Sequence, residues 1–130
     1  MAHRTILIAD DDVGLIRLLR TFLTPLGVEV RETYDSISAL ALIQRSAPDL
    51  VILDINMPGG NGLSACEMLI TDKWLARVPV IILSGQSDDD TRERCQRMKA
   101  HYVRKGPDAA AEIRDLAARL LGLAPIAAAP

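Results

Sequence analysis

Three short runs in the chain are apolar at every position: Ile6-Leu7-Ile8-Ala9, Leu50-Val51-Ile52-Leu53 and Val80-Ile81-Ile82-Leu83. A strand that alternates apolar and polar side chains covers one face of a sheet, whereas an uninterrupted branched run is buried on both, as in a parallel sheet. Two further runs, Val28-Glu29-Val30-Arg31 and His101-Tyr102-Val103-Arg104, are half polar and suit sheet edges. Helical periods fill the gaps. Leu15, Leu18, Leu19, Phe22 and Leu23 follow the i, i+3, i+4, i+7, i+8 pattern, and Ile37, Leu40 and Ala41 open a second helix. A third helix begins near Leu63, and a fourth spans Asp88–Lys99 with only Cys95 and Met98 as apolar anchors. The fifth carries Ile113, Leu116, Ala117, Leu120 and Leu121 on one stripe after Pro107-Asp108.

Five strands alternating with five helices predict an α/β fold: a doubly wound, five-stranded parallel sheet with right-handed crossovers. Polar second and fifth strands fit the flavodoxin-like order 2-1-3-4-5, in which ligands bind beyond the carboxyl ends of the strands near the switch point. Length permits one domain, residues 1–123, and 124–130 read as a flexible Ala/Pro tail. With 49% hydrophobic residues, 25% charged residues and a net charge of -2, the composition gives no basic footprint for nucleic acid. No apolar run reaches a membrane-spanning length and no secretory leader opens the chain, so a cytoplasmic location is expected. Cys66 and Cys95 lack metal or redox spacing and read as reduced structural thiols.

The residues closing the strands carry the chemistry: Asp10, Asp11 and Asp12 after the first, Asp54 after the third, Ser84 after the fourth and Lys105 after the fifth. Asp12 also suits the N-cap of the first helix. Carboxylates gathered without compensation repel, so this cluster calls for a cation. Magnesium suits it, being a hard ion that takes one or two carboxylates and leaves places for phosphate oxygens. An ionised nucleophile, a metal and a few donors are the requirements of phosphoryl transfer, and Asp54, Mg²⁺, Ser84 and Lys105 supply them. An acid closing an all-apolar strand costs stability unless something uses it.

Ile6 to Asp12, Pro48 to Gly59 with its Asp54-Ile55-Asn56-Met57-Pro58 core, Val80 to Gly85, and Tyr102 to Lys105 together resemble response-regulator receiver domains, in order and spacing, across about residues 4–122. The resemblance implies a regulatory phospho-acceptor rather than a conventional enzyme, with Asp54 as acceptor. It implies Asp11 as direct magnesium ligand, Asp10 acting mostly through bound water, and Asn56 lending its backbone carbonyl. Ser84 and Lys105 would engage the phosphate, Tyr102 would be the aromatic switch, and Asn56 and Gln86 would neighbour the hydrolytic water. It further implies a sensor histidine kinase or phosphotransfer protein as donor and a downstream protein as partner. A homodimer through the fourth helix, fifth strand and fifth helix is another interaction it implies; from charge and hydropathy, neither DNA nor membrane is expected to be contacted directly.

One departure is Lys105-Gly106-Pro107, where the family has proline directly after the lysine; the peptide after Lys105 is therefore expected to be trans. Two other readings share the residues. A haloacid-dehalogenase-type phosphatase would use Asp10-Asp11-Asp12-Val13 and Leu83-Ser84 but leave Asp54 without a role. A pseudo-receiver would keep the fold without phosphorylation.

Overall fold

A computed structural model describes residues 3–57, 60–61, 66–67, 77–85 and 89–124. Its five-stranded parallel sheet comprises β1 (Thr5–Ala9), β2 (Glu29–Thr33), β3 (Leu50–Asp54), β4 (Val80–Ser84) and β5 (His101–Arg104), in the spatial order β2-β1-β3-β4-β5. This is the predicted doubly wound order. The three inner strands are buried almost throughout, as their apolar runs require, and the charged edge β2 exposes Glu29.

Helices α1 (Val13–Leu23), α2 (Ser36–Arg45), α3 (Asp89–Arg97) and α4 (Ala109–Leu121) flank the sheet. The last two are the predicted fourth and fifth helices. The predicted third helix and the tail lie outside the described residues, apart from helical Cys66 and Glu67 and from Ala124.

Strand alternation divides the core in two. Ile6, Ile8, Leu50, Ile52, Ile81, Leu83 and Val103 face α1 and α4. Leu7, Ala9, Val51, Leu53, Val80 and Ile82 face α2 and α3. Each fully buried Leu or Ile contributes about 1.5–3 kcal/mol through removal from water.

Helix rotation departs from the predicted stripes. In α1 the buried line is Ile16, Leu19 and Leu23, with Leu15 and Phe22 beside it, while Leu18 is 46% exposed. In α2 it is Ser36, Ala39 and Ile43, and Ile37 is 67% exposed. Small Ser36 and Ala39 let that helix lie close to the sheet, where a larger side chain would hold it off. Side-chain caps fix the start of these two helices: Asp12 accepts from Leu15 N at 3.1 Å, as predicted, and Asp35 accepts from Ser38 N at 2.7 Å. α3 buries Thr91 and Cys95, with Met98 half-buried, so a threonine shares the anchoring expected of Cys95 and Met98. The α4 stripe is as predicted.

β2 begins one residue later than Val28 and continues to Thr33, because pairing with β1 runs as far as Ala9↔Thr33. Around the predicted Met57–Gly60 turn the chain forms a two-residue antiparallel ladder, Asn56↔Asn61 and Met57↔Gly60. No cis peptide occurs among the described residues, Lys105-Gly106 included.

Candidate acidic phosphate site

The sheet's hydrogen bonding continues one residue past three strand ends and so aims the site residues. Asp10 N donates to Thr33 O at 3.1 Å, Ile55 N to Leu83 O at 3.0 Å, and Lys105 N to Ser84 O at 2.8 Å. Asp10, Asp54 and Lys105 each fall an even number of positions from Ile8, Ile52 and Val103, which face α1 and α4. Alternation therefore gathers them on one side at the carboxyl edge. Ser84 has the parity of Ile82, as does Tyr102, which pairs with Ile82 in register. Those two share the opposite face.

Carboxylate oxygens of Asp10, Asp11 and Asp54 lie within 4.8 Å of one another. Asp10 and Asp54 are buried and Asp11 is exposed, so the cluster opens to solvent through Asp11. Lys105 bridges the buried pair, with Nζ 3.3 Å from Asp10 Oδ2 and 3.3 Å from Asp54 Oδ1. A glycine after Lys105 has not prevented the ammonium from reaching both acids. Asp10 Oδ1 accepts from Asp12 N at 2.9 Å, which locks that carboxylate in place. Asp10 Oδ2, although buried, has the Lys105 ion pair and no hydrogen bond.

Burial pushes the Asp10 carboxyl above its ordinary range, and the neighbouring Asp54 charge adds to this against the opposing pull of Asp12 N–H and Lys105. Burial alone would lower the Lys105 ammonium, but the charges of Asp10 and Asp54 outweigh it and hold the ammonium above its usual value. Among the described residues, three carboxylates thus face one ammonium. The surplus negative charge, the oxygen-only donor set and the buried Asp10 Oδ2 without a hydrogen bond all fit a hard divalent cation.

The sequence-predicted Asp10, Asp11, Asp54 and Lys105 are therefore brought together. Ser84 closes β4 and is buried, and half-buried Tyr102 lies on β5 three residues before Lys105. Asn56 opens the short ladder two residues after Asp54. Gln86 lies outside the described residues. Two contacts around the site were missed in the sequence. The Asp12 backbone amide positions Asp10, a signal available in principle because aspartate often accepts from the amide two residues on. The Arg92 guanidinium lies 5.3 Å from the centre of the Tyr102 ring, a contact that no local pattern announces.

Comparison with known proteins places these features in a family. Protein RcaC of Microchaete diplosiphon is 36% identical over 89 residues, which are 68% of this chain but 14% of RcaC, so the chain spans a small part of that relative. The signal receiver domain of a DNA binding response regulator from Colwellia psychrerythraea superposes with a TM-score of 0.81 at 26% identity, covering 92% of this chain and 98% of that one. The phosphorylated cyanobacterial phytochrome response regulator RcpA superposes with a TM-score of 0.78 at 25% identity, covering 93% and 91%. Among the described residues no helix is long and apolar enough to cross a membrane. The family model for the response regulator receiver domain matches residues 6–117, and the chain belongs to that family.

Proposed function

We propose that Asp54 accepts a phosphoryl group from the phosphohistidine of a sensor kinase or phosphotransfer protein, and that the resulting charge resets a protein-binding surface. The observation that carries this reading is the Asp10, Asp11 and Asp54 cluster bridged by Lys105. Asp54 supplies a carboxylate at a strand end, in a cluster that reaches solvent through the exposed Asp11. Attack of an Asp54 oxygen on phosphorus forms the acyl phosphate as the bond to the donor imidazole breaks. Asp10 and Asp11, with Asp54 itself and the Asn56 carbonyl, would hold magnesium, whose charge offsets that on the phosphoryl oxygens.

Lys105 pairs with the new phosphate, exchanging one of its two carboxylate partners for a stronger acceptor. Ser84 turns its hydroxyl to another phosphate oxygen. Phosphorylation adds about 1.5 to 2 negative charges, which gives both donors a reason to move. Ser84 and Tyr102 share one face of the sheet, so a hydroxyl drawn toward the phosphate leaves room for the Tyr102 ring. Asn56 and Gln86 border the water that later hydrolyses the acyl phosphate. The surface that changes is made by α3, β5 and α4, and it meets either a downstream protein or a second copy of this chain. RcpA, a relative of the same fold, is known in phosphorylated form, which supports the reading.

Acetyl phosphate with magnesium tests it. The wild-type protein is expected to gain one phosphoryl group by intact mass, and Asp54→Asn none. Asp10→Asn is expected to gain it far more slowly at the same magnesium concentration. A haloacid-dehalogenase-type phosphatase would instead be recognised by turnover lost in Asp10→Asn and retained in Asp54→Asn. A wild-type protein that stays unlabelled would leave the pseudo-receiver reading.

A further inference from the structure

Helix α3 is attached to the sheet by little apolar surface: Thr91 and Cys95 are buried and Met98 is half-buried. Two polar contacts supplement these anchors. Arg94 pairs with Glu67 at 2.6 Å, and Arg92 lies over the Tyr102 ring, 5.3 Å from its centre. Arg92 is exposed and Tyr102 half-buried, so the guanidinium covers the ring from the solvent side. Tyr102 also borders a groove of about 320 Å³ that is lined further by Val103, Glu112, Asp115, Leu116 and Arg119. A planar guanidinium over a tyrosine face is held by the ring's quadrupole, and the attraction depends on the positive charge.

Tyr102 and Ser84 lie on one face of the sheet, and the Arg92 guanidinium lies over the Tyr102 ring. We propose that Arg92 is a positioning residue that holds Tyr102 in its present rotamer and thereby sets how readily phosphorylation moves the α3, β5 and α4 surface. This rests on the receiver reading above, and names the residue that tunes its switch. A contact of this kind at an exposed site changes a two-state equilibrium by a factor of roughly 2 to 5. Removing it lets the ring turn inward more often, and a ligand that requires the inward ring then binds more tightly by the same factor.

Two readouts on the full chain test the proposal: the Tyr102 ring rotamer by NMR of ring-labelled protein, and the apparent affinity for beryllofluoride with magnesium, a mimic of the acyl phosphate. Arg92→Gln is expected to raise the inward population and tighten beryllofluoride binding by roughly 2 to 5-fold, while Arg92→Lys stays near wild type. In a Tyr102→Ala background, Arg92→Gln is expected to change nothing. Unchanged rotamer and affinity in Arg92→Gln would overturn the proposal, as would an effect that persists without Tyr102. If wild-type protein does not bind beryllofluoride, the receiver reading falls, and the rotamer in free protein still decides the role of Arg92.

Discussion

Replacing Asp10 by asparagine is expected to stabilise the metal-free protein. The perturbation is nearly isosteric, and the asparagine Oδ1 can still accept from Asp12 N, so packing and the local turn persist. What changes is charge. At 3.3 Å and an effective dielectric of about 20, attraction between Asp10 and Lys105 is about 5 kcal/mol. Repulsion between Asp10 and Asp54, at no more than 4.8 Å, is at least about 3.5 kcal/mol on the same scale. The two nearly offset each other. Desolvation of the fully buried Asp10 carboxylate, several kcal/mol, then decides the sign. Lys105 keeps Asp54 as its partner at 3.3 Å. A gain of about 1–3 kcal/mol follows, equivalent to a Tm higher by about 3–10 °C for a chain of this size.

The assay is thermal unfolding followed by circular dichroism, in chelator, near neutral pH. The pH dependence has a definite sign. Because the folded-state value of Asp10 is raised, its protonated form contributes stability that is fully present below the ordinary carboxylate range and lost as pH rises through the raised value. The advantage of Asp10→Asn should therefore shrink in acid. A variant with Tm equal to or below wild type near neutral pH would refute the argument that the buried charge is uncompensated without a metal.

Lys105→Met removes the only ammonium bridging the buried pair among the described residues; since Lys105 is 28% exposed, the cost in metal-free protein is discounted to about 1–3 kcal/mol. Magnesium should raise its Tm more than that of wild type in parallel melts, and a smaller rise would contradict the charge count. The Cys66 thiol, pushed up to about 11 by burial, with the neighbouring Cys95 and Glu67 adding to the shift, should react with a disulfide reagent near pH 8 far more slowly in folded than in denatured protein. Equal rates would place it at the surface. Gly27 has φ +80° with open space around it, so Gly27→Ala should cost about 1 kcal/mol in chemical denaturation through backbone strain alone. An unchanged midpoint would refute that.

Strand positions were legible in the sequence because inner strands of a parallel sheet are buried on both faces, and nothing else in this chain has four consecutive branched or apolar residues ending in a site residue. Asp54 was legible for a related reason, as an acid closing the apolar run of β3. Helix rotation was less so: Leu18 and Ile37 extend plausible apolar stripes but face solvent, since the caps at Asp12 and Asp35 fix where the two helices start and the small residues Ser36 and Ala39 let α2 lie close to the sheet. The reach of Lys105 could not be read, because a four-carbon side chain can aim at many points around a strand end. Arg92 over Tyr102 joins a helix to a strand. It requires both the Ile82↔Tyr102 register and the rotation of α3, neither of which composition or periodicity encodes.

The most direct test of the central claim is to trap the acyl phosphate and find its position. Protein phosphorylated by acetyl phosphate with magnesium is treated with borohydride, which reduces an aspartyl phosphate to homoserine, and the digest is analysed by mass spectrometry. Homoserine at position 54, and none when magnesium is withheld, is the predicted result. Homoserine at another aspartate, or phosphate on a different residue type, would contradict the assignment of Asp54.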